Sequence, residues 1–231
     1  AETISGLASI DFFHDEWGVD VTVSGSQKGL MLPPGLSFNA VSQKALAASK
    51  NATLTRSFWD WDAMLGPNAR GFYPYTPGTN LLYGLREALT MLLDEEGLEA
   101  VFARHDRHAE ATRRAVRAWG LEILCSNPEE YSSALTAVLM PEGKRADAVR
   151  KVILEHFDMS LGAGLGKVAA KVFRIGHLGA FNDLSLCGTL AGVEMGLQIA
   201  GVNLKGNGVA AATAYLSEAA QRASPDRAAA E

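Results

Sequence analysis

Residues 19–35 read VDVTVSGSQKGLMLPPG. Val19, Val21 and Val23, with Thr22 among them, make an apolar, β-branched run that predicts a strand in a sheet covered on both faces. The run ends in Ser24, Gly25 and Ser26, whose small size leaves room for another molecule to approach the backbone. Lys28 follows, and Pro33 and Pro34 then stiffen the chain. A surface lysine is ordinarily a solvated charge. One set between small residues and a double proline is placed to hold something.

Outward from this loop the pattern alternates strand and helix. Residues 38–49 read as a helix, with Val41, Ala45 and Leu46 at helical spacing. Trp59 and Trp61 read as packing residues. Residues 71–80, GFYPYTPGTN, form a loop of a composition that often carries function, followed by a helix over 81–95. A long helix over 98–119 carries Leu98, Val101 and Phe102 on one face. Its arginines (104, 107, 113, 114 and 117) alternate with Glu99, Asp106 and Glu110, so it reads as a solvated helix joining two domains rather than a nucleic-acid face. Beyond Gly120, LEILCS and SSALTAVLM read as strands, 145–157 as an amphipathic helix, 168–175 as a strand, and 184–200 and 209–223 as closing helices. This second part is an α+β unit, which puts the domains at 1–97 and 98–231, with residues 223–231 frayed.

The chain has 231 residues, of which 48% are hydrophobic, enough for a proper core. A net charge of −5 gives no general attraction to nucleic acid or to an anionic membrane. The apolar stretch 184–202 is broken by Glu194 and Gln198 and is glycine-rich, so it reads as a core helix and not a membrane span. Cys125 and Cys187 make no disulfide framework, which points to a reducing compartment, the cytoplasm by default. Ala1 opens within a patterned segment, so the chain reads as part of a longer polypeptide.

Several motifs can be set aside. GAGLGK, 162–167, has Leu161 where a phosphate loop needs its first glycine and Val168 where it needs Ser or Thr, so it reads as a turn between strands. His105 and His108 lack a metal-ligand set, and no metal is expected. Ser24 and Ser26 have no histidine nearby in sequence, and neither cysteine belongs to a CxxC pair. Lys28 is left as the leading nucleophile. A lysine amine attacks a carbonyl to give a Schiff base, and pyridoxal phosphate is the natural carbonyl. An amino-acid substrate then needs a cation for its carboxylate. Arg174, in KVFRIGHLG, suits that task through two parallel hydrogen bonds, with an ordinary ion pair as the equal alternative.

Three stretches, WGVDVTVSGSQKGLMLPPGLSF (17–38), YPYTPGTNLLYGLREAL (73–89) and KVFRIGHLGAFND (171–183), together resemble the class V, fold-type I pyridoxal-phosphate aminotransferases, and most closely their serine–glyoxylate (alanine–glyoxylate) branch. The resemblance runs over essentially the whole chain, in family order. It implies an α/β fold: the remainder of a large domain with a mostly parallel sheet and helices, followed by a smaller α+β C-terminal domain. It also implies pyridoxal 5'-phosphate as cofactor. Lys28 would hold that cofactor covalently and move the substrate proton, while Gln27, Glu2 and Ile4 would contact it. Tyr73 and Thr76 would reach the cofactor phosphate of a neighbouring subunit, in a homodimer with shared active sites, and Arg174 would bind the substrate carboxylate. Glu2 stands where the family has an aspartate facing the pyridine nitrogen, and the extra methylene displaces the carboxylate by about 1.5 Å. The implied reaction moves an amino group from serine, or a related small amino acid, to glyoxylate, giving glycine and a 2-oxo acid. The alternatives are another donor, such as an aspartate derivative or an aminophosphonate, or a cofactor-free portion that only dimerises. Cysteine desulfuration is disfavoured, because Cys187 lies in an apolar helical segment.

Overall fold

In the computed structural model, which describes residues 1–223, the β-branched run forms a strand, β1 (Val21–Gly25), displaced two residues toward the lysine from 19–23. Its partner is β2 (Ser37–Val41), antiparallel, with Val21 opposite Val41 and Gly25 opposite Ser37. Residues 38–41, expected in a helix, are therefore strand. The helix α1 (Gln43–Ser49) starts only after Ser42, whose side chain accepts a hydrogen bond from the Ala45 amide at 3.1 Å and caps it. Asp20 holds that corner, accepting from Ser42 Oγ at 2.9 Å and from Lys44 Nζ at 2.8 Å. On the other side of β1 the first residues of the chain run alongside it, with Glu2 bridged in parallel to Val23. Further along lie α2 (Trp61–Asn68) and α3 (Thr79–Leu89), the latter continuing into a π-helical turn, Thr90–Glu95. Trp59 is 78% exposed and does not pack as expected; its edge contact with Phe58 leaves most of the ring in solvent. The chain divides into two units between Leu98 and Glu99.

The second unit is led by α4 (Leu98–Trp119). The arginine-rich helix is no mere solvated connector. Val101, His105, His108, Thr112, Val116 and Trp119 recur at helical spacing and are all buried, so one stripe faces the core while the arginines find partners both on the helix and beyond it, Arg107 with Asp183 among them. Arg113 and Arg114 pair with Glu110, and Arg113 and Arg117 lie over the Tyr131 ring. A four-stranded antiparallel sheet follows, in the order β3 (Glu122–Ile123), β4 (Leu135–Leu139), β6 (Val172–Gly176), β5 (Gly162–Ala163). LEILCS contributes only two strand residues, and the strand expected over 168–175 starts at Val172, because residues 166–168 make a 3-10 turn. Three helices complete the unit: α5 (Ala146–Phe157), α6 (Asp183–Ile199) and α7 (Gly208–Ala223). Residues from 224 onward, which hold nearly all of the tail read as frayed, lie outside the described residues.

The core gathers Trp119, Val138, Ile153, Phe173, Ile175, Leu186, Leu190 and Leu197. Glycines on α6 make the close packing possible: a Cβ on Gly196 would stand 2.1 Å from Ile153 Cγ1, so only hydrogen fits there. Glu194, which breaks the apolar stretch in the sequence, turns its carboxylate inward. Its Oε2 accepts from Trp119 Nε1 at 2.6 Å and from the Gly208 and Val209 amides at 2.7 and 3.1 Å. One carboxylate thus satisfies the indole and caps α7. No helix among the described residues is long and apolar enough to cross a membrane.

Candidate active site

Ser26 organises the lysine loop. Fully buried, it donates its hydroxyl to Pro33 O at 2.8 Å and accepts the Leu36 amide on the same oxygen at 3.2 Å. Its own amide and carbonyl bond to Leu36 O and to the Leu32 amide. The two ends of the loop are drawn together across residues 27–35, with Met31 in the left-handed region at φ 64°. The small residues before the lysine therefore do not leave an open approach. Ser24 Oγ donates to Thr3 O at 3.1 Å, and the open face of Gly25 is filled by the Gln27 side chain. Their size serves internal hydrogen bonding, and the loop presents to solvent Gln27 and Lys28 at one end and Pro33 to Gly35 at the other.

Lys28 is exposed; its carbonyl accepts the Met31 amide at 2.9 Å, while its side chain makes no hydrogen bond or ion pair among the described residues. The next residue, Gly29, is buried against the segment 7–9. A Cβ there would lie 2.2 Å from Leu7 O and 2.7 Å from Ser9 Oγ. Backbone cannot retreat as a flexible side chain can, so Gly29→Ala is expected to cost about 1–3 kcal/mol of stability. The check is the shift in denaturation midpoint, and a change within error would show that the segment 7–9 yields freely.

Glu2 sits beside β1, opposite Val23, and its Oε1 accepts the Ile4 amide at 2.5 Å. Ile4 is half-buried. Tyr73 and Thr76 line an open hollow of about 750 Å³ formed by residues 71–77 and Leu82, which Lys28 does not line. Tyr73 is half-exposed, and the neighbouring Tyr75 is held by Ser57 Oγ at 2.9 Å.

Arg174 belongs to the second unit, in the middle of β6, with Ala137 opposite on β4 and Gly162 opposite on β5. Its Nε–H donates to Ala163 O at 2.9 Å. The guanidinium lies over Gly162, where a Cβ would come within 3.1 Å of Nε, so the glycine is part of how the arginine is seated. No carboxylate among the described residues pairs with Arg174, and its two Nη groups remain uncommitted. The ordinary ion pair that spacing allowed is not formed.

Sequence reasoning passed over the histidines of the second unit as functional elements. His105, His108 and His177 are all fully buried. Carboxylates and carbonyls only accept, which fixes each tautomer. His105 Nδ1–H donates to Val101 O at 2.7 Å and its Nε2 accepts the Gly179 amide at 3.1 Å. His108 Nε2–H donates to Asp183 Oδ1 at 2.8 Å, a carboxylate 75 positions away that no local pattern reveals. Burial lowers the His108 pKa. Burial also pushes Asp183 upward, but hydrogen bonds from Arg107 and His108 outweigh it and leave that carboxyl below its ordinary value. Burial raises the Cys187 thiol. Among the described residues there is no cluster of three or more His, Cys, Asp or Glu able to hold a metal.

No family model matches the chain. It is 51% identical over 221 residues to the serine–glyoxylate aminotransferase of Methylorubrum extorquens, an alignment covering 93% of this chain and 55% of that protein. It is 48% identical over 210 residues to the L-aspartate–glyoxylate aminotransferase of Paracoccus denitrificans, covering 90% of this chain and 53% of that one. Among solved structures, pyridoxamine–pyruvate aminotransferase from Mesorhizobium loti matches with a TM-score of 0.85 at 31% identity, over 94% of this chain and 57% of that chain. The chain spans about half the length of the curated relatives it matches. Its mixed α/β fold is that of the pyridoxal-phosphate transferases. Over nearly all of its length the chain is similar to the class V, fold-type I aminotransferases, with serine–glyoxylate aminotransferases among its close relatives.

Proposed function

We propose that the chain carries the lysine and the carboxylate-binding arginine of a pyridoxal-phosphate aminotransferase that moves an amino group from a small amino acid, serine foremost, to glyoxylate. The observation that carries the reading is the pair of uncommitted basic groups, Lys28 and the Arg174 Nη atoms, set on the two motifs that match the family. Residues 1–97 are read as the end of the cofactor-binding domain and 98–231 as the small C-terminal domain.

The residues present fit the cofactor. Lys28 offers a free amine, Gln27 beside it is exposed, and Glu2 brings a carboxylate alongside the same strand. When bound, pyridoxal phosphate supplies an electron sink for charge that develops on the substrate α-carbon. Lys28 would hold the group and then carry the proton at the α-carbon as base and acid. Glu2, once released from the Ile4 amide, would face the pyridine nitrogen, with Ile4 against the ring. Arg174 would orient substrate by gripping its carboxylate with Nη1 and Nη2 while Nε stays anchored to Ala163 O. Tyr73 and Thr76 would serve the cofactor phosphate of a second copy in a homodimer working in the cytoplasm.

Borohydride reduction after mixing with pyridoxal phosphate, followed by peptide mapping, tests the core of this reading. Label on Lys28 is the expected result, and a colourless, unlabelled chain would favour a cofactor-free dimerising portion. Assays with serine and aspartate against glyoxylate rank the donors; the aspartate-named relative makes aspartate the specific alternative. Arg174→Ala is expected to keep the visible colour and raise KM for amino and keto acids about 10- to 100-fold, the worth of one or two charge-assisted hydrogen bonds. Unchanged KM in that variant would remove Arg174 from the site.

A further inference from the structure

Arg174 can reach a substrate only if β6 keeps its register. Side chains alternate along a strand, so a slip of one residue would carry Arg174 to the face now held by Phe173 and Ile175, both fully buried. The pairing of β6 with β4 runs from Leu139↔Val172 to Leu135↔Gly176, and the His177 amide continues it by donating to Ala134 O at 3.1 Å. The imidazole of His177 then spans the end of the ladder. Nδ1–H donates to Ser133 O at 3.0 Å, and Nε2 accepts from Thr136 Oγ1 at 3.0 Å. One ring thus bonds both to Ser133, two residues before β4, and to Thr136, the second residue within it. Burial holds the His177 pKa down to about 3, which keeps one N–H and one lone pair available for these two bonds.

A leucine of similar volume would fill the same space yet make neither bond, so packing alone does not account for a histidine here. We infer that His177 is a positioning residue for Arg174, pinning β6 to β4 so that the arginine is kept on the face opposite Phe173 and Ile175; the inference rests on Arg174 being the substrate-carboxylate ligand. Thr136 shares the task as the donor to Nε2.

The test compares His177→Leu, His177→Asn and Thr136→Val in the full chain. Hydrogen exchange by NMR is read at Arg174 Nε–H and at the Gly176 and His177 amides, with the α6 amides of Leu190 and Val193 as reference. His177→Leu is expected to speed exchange at Arg174 and the β6 end about tenfold or more while the α6 amides hold. His177→Asn, which keeps a donor for Ser133 O, should recover most of the protection. Thr136→Val, which leaves the ring in place, gives a smaller rise and serves if His177→Leu fails to fold. Unchanged exchange at Arg174, or a uniform rise that includes α6, overturns the inference. In the pyridoxal-phosphate-loaded chain His177→Leu should also weaken glyoxylate binding, and should add nothing on an Arg174→Ala background; additive losses overturn it as well. If Arg174→Ala alone leaves glyoxylate affinity unchanged, the carboxylate-ligand reading fails. The exchange measurement then still decides by itself whether His177 pins the strand.

Discussion

Lys28→Ala is expected to lose transamination by about 10²–10⁴-fold or more, the range that removing a positioned proton carrier produces. It should also lose covalent retention of the cofactor altogether. The informative companion is Lys28→Arg. It keeps the positive charge in the loop but puts a guanidinium, which does not deprotonate in proteins, where a nucleophilic amine is required. If charge alone mattered, arginine would rescue binding and part of the rate; if the amine is the reacting group, both variants are equally dead. The measurements are initial rates with serine and glyoxylate, together with the mass of the borohydride-treated protein. Cofactor still fixed by borohydride in Lys28→Ala would place the reaction on another group. Because the Lys28 side chain is exposed and makes no bond among the described residues, neither substitution should shift the unfolding midpoint appreciably, which separates lost chemistry from lost structure.

Trp119→Ala should be the most damaging single change to the fold. The indole is fully buried in the core of the second unit, where truncation removes a large apolar surface and leaves a cavity worth about 3–5 kcal/mol. It also strips Glu194 of its bond from the indole N–H, while the same carboxylate still caps α7 through Gly208 and Val209. Trp119→Phe divides the two effects. It keeps most of the volume and loses only the N–H, so it should cost about 1–3 kcal/mol, in the range for a hydrogen bond to a charged group. Denaturant unfolding at unchanged slope is the check. Equal losses for Phe and Ala would mean that the hydrogen bond, rather than the volume, dominates.

What was legible in the sequence follows how local the cause is. The span of α4 was readable residue for residue, since a 3.6-residue stripe and a following glycine mark both ends. Its burial was not: five arginines suggest a solvated rod, whereas Glu110 on the helix itself and Tyr131 and Asp183 from other parts of the chain absorb them. The helix expected over 38–49 failed at its start, because Ser37–Val41 gains a strand partner 16 positions upstream that no local pattern announces. The small size of Ser24 to Ser26 suggests clearance for a ligand, yet buried hydroxyls seek bonds as surely as small residues leave space, and here the bonds prevail.

The chain's own residues determined the lysine loop, the arginine motif, the long helix and the family resemblance, because each depends on residue types at short spacing or on motifs kept in order. Only the tertiary structure decided which small residues are filled from within, that Arg174 stands over Gly162 with no carboxylate beside it among the described residues, and that His177 ties two strands together. Those outcomes depend on which groups meet in space, at separations that run from two positions for Gly25 and Gln27 to 44 for His177 and Ser133. In a buried setting each donor or acceptor must find its partner in space, and residue spacing alone does not carry that information.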